Sequence, residues 1–500
     1  MRKTFFSALI FLLCIVHSPF MAIAAGTQNN PVIFNINDSS VTITENGHYI
    51  ISGDGMRMGT SNRIVVNPGL SDVNITLNEV YISRLISTPS EFCVFTMSGS
   101  SVNLILSGDN VLSSGYSSAG IETQSGAKLI IGGTGRLHVG SYDSDSNGIG
   151  GSGMNTGGEV IINDGTIVAT GCNAGIDGSR ITINGGKIIA SGGSGGIIGD
   201  EIHIIGGTIN AYGLYDSRGN YLGVGGAGIS GRIGNNSNKI TISGGSVTAS
   251  GWSDNWRDGA CSGAGIGGRT IYFSGVRDRT IVCNAGEIII NGGMVDATGG
   301  AGSAGIGGSI GSSGGKITIN GGTITATGGS GSFFIDWYDR DISGVVFGGG
   351  AGIGGGAGMG AGEIRSIEGV IAGSGEIILN GGDSGTINIM GGVITAKGGD
   401  QANNNQNINS VKIAAGAGIG IGGTGNGGSI TIKTGTTINN TGGVVGGKGI
   451  DAGDKGTIKY IGKDGENNGG GGCNSSDIGT LGMLFAALFM LWRGNKNNRN

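Results

Sequence analysis

Residues 314–329 read GGKITINGGTITATGG, and near copies of this stretch recur from about residue 127 to about residue 440. No other feature limits the fold as strongly. Each copy holds Ile-Thr-Ile, a glycine corner and a second alternating run such as Thr-Ile-Thr-Ala-Thr. Most copies close on Ala-Gly-Ile, as at Ala174-Gly175-Ile176, Ala264-Gly265-Ile266 and Ala304-Gly305-Ile306. Two-residue alternation is the signature of a strand with one buried face. The spacing from Arg180 to Glu201, 21 residues, falls in the range of solenoids, whose units cannot bury a core alone.

Composition narrows the reading further. The 500-residue chain contains 114 Gly and 4 Pro, near the level of low-complexity disorder. Here, however, the glycines come in regular pairs between Ile, Val and Thr, so each unit has a strip of apolar side chain to bury. Net charge is -5 with no basic stripe, which leaves nucleic acid without an electrostatic footprint.

These observations predict an all-β, single-domain right-handed parallel β-helix with irregular loop insertions. Each unit forms one coil of three strands, with Ile317, Ile319, Ile324 and Ala326 inward and stacked on their equivalents one coil away. The Asn-Gly-Gly corners suit positive φ, which Gly and Asn tolerate. Asn163, Asn184, Asn291, Asn320 and Asn380 are placed to form a ladder there. A hexapeptide left-handed helix does not match the spacing, and a propeller would need four strands per unit. Residues 26–126 read as less regular coils and 127–465 as the glycine-rich repeat, together a rod of ~60 Å.

The two ends differ from the repeat. Residues 1–25 combine Arg2 and Lys3, an apolar run from Phe5 to Val16 and small residues at Ala24 and Ala25, the pattern of a cleaved secretory signal. Residues 466–500 join a glycine spacer and Cys473-Asn474 to an apolar run from Leu481 to Trp492, followed by Arg493, Lys496 and Arg499. This tail resembles the Synerg-CTERM sorting signals of bacteria. The resemblance implies recognition by export and sorting machinery, processing near Cys473, contact with the membrane and delivery to the cell envelope or surface. Of the remaining cysteines, Cys93 and Cys172 read as buried thiols, while Cys261 and Cys283 flank one insertion that they could staple.

In the segment from NITLNEV through EVIINDGTIVATG, the order of strands also resembles the carbohydrate-binding β-helix family of bacterial surface proteins, which look like polysaccharide lyases. That resemblance implies acidic polysaccharide as ligand and calcium as cofactor.

Candidate chemistry lies in the insertions. Three of them occupy the slot between the second strand and the Ala-Gly-Ile element, so they should leave the rod on one side. They carry Tyr215, Arg218 and Tyr221; Trp252, Asp254, Trp256, Arg257 and Asp258; and Asp336, Trp337, Tyr338, Asp339 and Arg340. Aromatic rings stack on sugar faces while carboxylates and guanidiniums take hydroxyls, and the same residue types bind proteins. Loops that fold over the flank and bury their own rings are the plain alternative. Asp143, Asp145 and Asn147 repeat the opening of a calcium loop, but Met154 stands at the twelfth place, where a bidentate Glu belongs.

Catalytic residues are not evident. Glu159, Glu201, Glu287 and Glu376, alternating with Arg180, Lys239 and Lys316 at strand starts, read as surface charge that steadies the stack. His203 alternates outward. The outward triplets of the second strand, such as Lys187-Ile189-Ser191 and Met294-Asp296-Thr298, are too mixed for an ice-binding array. The expectation is a non-catalytic surface protein that binds polysaccharide or acts as an adhesin on host or neighbouring cells. A lyase or hydrolase of acidic glycans and a structural surface-layer rod are the alternatives.

Overall fold

The computed structural model describes residues 25–55, 59–84, 93–115, 118–141, 146–152, 155–214, 222–232, 237–254, 261–273, 280–336, 342–347, 349–357, 359–367, 370–373, 383–400, 416–421, 428–434, 436–442, 448–451 and 457–461. They form an all-β parallel β-helix: a 25-stranded sheet extends from Val32 to Ile461 and an 11-stranded sheet from Tyr81 to Thr441, with no helix among the described residues. Each coil contributes a first-face strand such as Lys316–Ile319, a second-face strand such as Thr323–Thr327 and a third-face strand such as Ile353–Gly354. The first and third faces share the larger sheet because Ala174–Ile183 and Gly195–Ile204 run through both without a break.

Successive coils pair in parallel and in register. On the first face, fourteen described strands follow one another from Val32–Asn35 to Thr457–Ile461, which at ~4.8 Å per step gives a rod of ~60 Å. Pairing crosses residue 126 without interruption, since Ser101 lies opposite Lys128, so the early, irregular coils belong to the same stack.

Alternation sets the core. Ile181, Ile202, Ile240, Ile288, Ile317, Ile387 and Ile430 form one buried column, and Ala190, Ala211, Ala249, Ala297, Ala326 and Ala396 form another. Each buried Ile contributes roughly 1.5–3 kcal/mol by leaving water. The Ala column and the Ala-Gly-Ile element have one cause: the third strand lies against the backbone of the second. A Cβ on Gly305 would come within 2.6 Å of the Thr327 amide nitrogen and 2.8 Å of the Ala297 carbonyl oxygen, so glycine alone permits that approach.

The corners divide labour differently from the sequence expectation. Positive φ falls on the second glycine of each pair, as at Gly186 (φ 84°), and not on asparagine. Asparagine supplies the ladder: the Asn184 amide donates to Asn163 Oδ1 at 2.7 Å and the Asn320 amide to Asn291 Oδ1 at 2.8 Å. Exposed Ile205 interrupts the row between Asn184 and Ser243, and Asn380 lies outside the described residues.

The insertions emerge where the spacing places them, but they do more than share a side. Insertions from the two ends of the third face meet and pair antiparallel: Leu222–Gly225 with Arg269–Phe273, which pairs in turn with Thr280–Cys283. A second set joins Ser332–Asp336, Ile342–Phe347, Met359–Ile367 and Val370–Gly373.

Candidate functional site: the insertion flank

Trp252 is the best-defined member of the aromatic flank. It follows a second-face strand, Ser246–Ser250, and its backbone is tied on both sides: its N–H donates to Gly226 O of the preceding coil at 2.7 Å, and its carbonyl accepts from Gly263 N, across the base of its own insertion, at 3.1 Å. The residue is nonetheless 43% exposed, so a ring is presented to solvent from a fixed backbone. Two residues on, Asp254 pairs with Cys261 in a short antiparallel hairpin. Asp336 ends strand Ser332–Asp336, opposite Ser343. Tyr215, Arg218, Tyr221, Trp256, Arg257, Asp258, Trp337, Tyr338, Asp339 and Arg340 lie outside the described residues.

Register confirms that the three insertions leave from equivalent points. Ala211, Ala249, Ala297 and Ala326 are stacked just before the slot, and Ile229, Ile266, Ile306 and Ile353 just after it.

A buried ionic group links this region to the rod, and the sequence reading missed it. Asp177, on the third face, lies 2.8 Å from Arg232 Nη2, while Arg232 Nε stands 3.5 Å from Asp200. Arg269, at the start of the insertion strand Arg269–Phe273, is buried and donates from Nη1 to Ser194 O at 3.0 Å. Burial pushes the Asp177 carboxyl up, against the pull of Arg232, and lowers Arg269, against the pull of the Cys283 thiol and Asp177. With two guanidiniums facing two carboxylates, the group is internally compensated and anchors the insertion to coils below it. The one sequence signal was Asp177 itself, a carboxylate in a column that also holds Gly150, Ile198, Ser230, Gly267 and Gly307.

Along the outer first face, the alternating charges form a continuous row. Lys128, Glu159, Arg180, Glu201, Lys239, Glu287 and Lys316 are successive partners in the ladder. Contacts of 3.2 Å for Lys128–Glu159, 2.7 Å for Arg180–Glu201 and 2.8 Å for Lys316–Glu287 run along it. His203 points outward as expected, but its Nε2 sits 2.8 Å from Glu201 Oε1. The His203 contact, with Arg180 and Lys239 nearby, holds the Glu201 carboxyl below its usual range; Lys316 and Lys239 do the same for Glu287. Glu376 lies outside the described residues.

A second polar group lies on the early coils. Glu79, Asp109, Thr134, Arg136 and Thr166 line an open groove of about 270 Å³. Glu79 adopts φ 56°, left-handed for a residue with a side chain, and its Oε1 accepts the Asp109 N–H at 3.4 Å. Partial burial and neighbouring Arg136 lower His138 from its ordinary value.

Of the proposed calcium loop, Asp143 and Asp145 lie outside the described residues. Asn147 is buried in strand Asn147–Gly150. Its Oδ1 already accepts from Asn173 Nδ2 and Ala174 N, both at 3.0 Å, and its amide donates to Gly151 O at 2.6 Å. Cys93 is buried, Cys172 half-buried, and Cys283 is a buried thiol beside Arg269. Ala25 is exposed, whereas Ala24 and Cys473 lie outside the described residues. No described helix is long and apolar enough to cross a membrane.

The sequence profile of the β-helix repeat family matches residues 160–180, 240–268, 288–312 and 317–332. Each matched stretch begins within a first-face strand, so the profile follows the coil. No curated protein and no solved structure matches the chain.

Proposed function

We propose that this parallel β-helix is an exported protein of the bacterial cell surface that binds polysaccharide through its insertion flank, as an adhesin does, without catalysing a reaction. The observation that carries the reading is Trp252, exposed at 43% on a backbone held by the preceding coil and by the base of its own hairpin, with Asp254 two residues on. A ring held in place loses little entropy on stacking against a pyranose, and neighbouring carboxylates accept its hydroxyls. The cleavable leader ending near Ala25 and the tail around Cys473 support export and anchoring. Calcium, if used at residues 143–147, would rest on Asp143 and Asp145, because both acceptor positions of the Asn147 oxygen are taken.

The groove of Glu79, Asp109 and Arg136 favours a second reading, cleavage of an acidic glycan, since carboxylates beside a guanidinium suit proton transfer next to a uronate. A glycan array with and without calcium, run beside an assay for unsaturated uronate, separates the readings. Retention without product supports binding, product supports cleavage, and silence in both supports a structural rod. Trp252→Ala is expected to weaken retention at least tenfold, and unchanged retention removes the flank from the account.

A further inference from the structure

We infer that Asn291 is a site of spontaneous covalent modification: it loses its side-chain amide to the glycine that follows it, and the folded corner selects it over the other Asn-Gly pairs of the rod. The chemistry needs only water. The Gly292 nitrogen gives its proton to solvent and bonds to Asn291 Cγ; the Cγ–Nδ2 bond breaks, and that nitrogen takes up a proton and leaves as ammonia. A cyclic imide remains. Water then opens it at either carbonyl, giving aspartate or isoaspartate, so the net change is one carboxylate in place of one amide.

Among the described residues, Asn-Gly pairs stand at Asn46, Asn147, Asn184, Asn291 and Asn320. Glycine leaves its nitrogen open to such a reaction because it has no side chain beside it. Two of the pairs are withheld. Gly47 N–H donates to Asp72 O at 2.9 Å, and Asn147 is buried with its oxygen and its nitrogen both bonded. The other three share the sequence Ile-Asn-Gly-Gly and the exposed corner between the first and second faces. There the N–H groups of Gly185, Gly292 and Gly321 donate to no described acceptor. Any difference in rate among these three is therefore a property of the fold.

The direction of the asparagine ladder supplies that difference. Attack at Cγ drives an electron pair onto Oδ1, so a donor already placed there stabilises the intermediate. Asn291 Oδ1 accepts from Asn320 Nδ2 at 2.8 Å, while its own Nδ2, the departing nitrogen, is held by a long contact of 3.4 Å to Ser243 Oγ. Asn184 and Asn320 are arranged the other way. Each commits its departing nitrogen, at 2.7 Å to Asn163 Oδ1 and at 2.8 Å to Asn291 Oδ1, and the next places in the row, Ile205 and Met390, have no side-chain donor for its oxygen.

The products differ in the same sense. An aspartate at 291 keeps the Asn320 amide as a charge-assisted donor, and the Ser243 hydroxyl turns to donate as well. A carboxylate at 184 or 320 instead faces the oxygen of Asn163 or Asn291, acceptor against acceptor with no proton between them. A long-lived chain thus gains a negative charge at one fixed place in a row otherwise made of Asn, Ile, Ser and Met.

The test incubates the full chain, in detergent so that the apolar tail is solubilised, at mildly alkaline pH in water enriched in heavy oxygen. Peptide mass spectrometry then reads where the label enters. It should enter at Asn291 about tenfold faster than at Asn184 or Asn320, the share expected of one well-placed donor. In urea, with the ladder gone, the three corner pairs should react at similar rates. Asn320→Ala removes the donor and should slow Asn291 about tenfold, with the rate at Asn184 unchanged as the sign that the corner is intact. A reaction led by Asn184 or Asn320 overturns the inference, as does a rate at Asn291 that Asn320→Ala leaves unaltered. A folded chain that stays unlabelled at Asn291 while the chain in urea reacts overturns it too.

Discussion

Glycine serves two physical ends in this chain, and substitution distinguishes them. Gly305 is required by proximity, because its α-carbon faces backbone atoms of the second face at less than a side chain's distance. Gly311 has φ 69° with open space around it, so only its dihedral resists a side chain. Gly311→Ala should cost about 1–2 kcal/mol, the penalty for a left-handed residue with a Cβ. Gly305→Ala should cost about 3 kcal/mol or more, since two backbones must separate within a packed stack. Urea unfolding of both variants checks the order, and equal losses would show that the third strand does not press on the second.

At the scale of the strand, the charge row and the buried ionic group respond to pH in opposite directions. Glu201 and Glu287 have folded-state values below their unfolded ones, so their contribution is fully present above the ordinary carboxylate range and is lost as pH falls through the depressed values. Asp177 has a raised folded-state value, so the stability linked to its proton is present at low pH and lost as pH rises through that value. Glu287 lies between Lys239 and Lys316, and Glu287→Ala should cost roughly 0.5–1 kcal/mol near neutral pH, where such half-exposed pairs are well screened. Glu287→Lys, placing three cations in a row, should cost more. Both differences from the parent should shrink as pH falls below the carboxylate range, measured by urea unfolding at several pH values; a loss independent of pH would assign the effect to packing.

Across the whole molecule, stability is distributed along one dimension, because each coil touches chiefly its neighbours. Ile288→Ala empties one position of the column and should cost about 2–4 kcal/mol. Hydrogen exchange should then rise in Lys239–Ile242 and Lys316–Ile319, the strands on either side, and stay unchanged in Val73–Asn78. A uniform rise across the rod would mean that the coils unfold as a single unit. The insertions complicate this picture, since the strand pairing between Leu222–Gly225 and Arg269–Phe273 ties together coils that the repeat alone would couple only in sequence.

Much of the coil was legible in the chain because its causes are local. Ile-Thr-Ile must put both isoleucines on one side, a glycine pair marks a corner, and equal spacing forces Glu159, Arg180 and Glu201 into one outward row. Less of the candidate site was legible. Trp252 could be assigned to a flank, but its backbone is fixed by a hydrogen bond to Gly226 from the preceding turn as well as by Gly263 across its own hairpin. Asp177 carried no local signal of its role, which arises only where Arg232, Asp200 and Arg269 are brought around it.

By itself, then, the sequence determined the repeating coil, its buried columns and its alternating surface charge, all of which follow from strand periodicity and glycine's backbone freedom. Only the tertiary structure decided that insertions from opposite ends of the third face pair with one another, that an ion pair is buried where they join the rod, and that positive φ at the repeat corners falls on glycine and not on the laddered asparagines. Those outcomes depend on which distant segments are brought within hydrogen-bonding distance, a property of the assembled stack that no local pattern encodes.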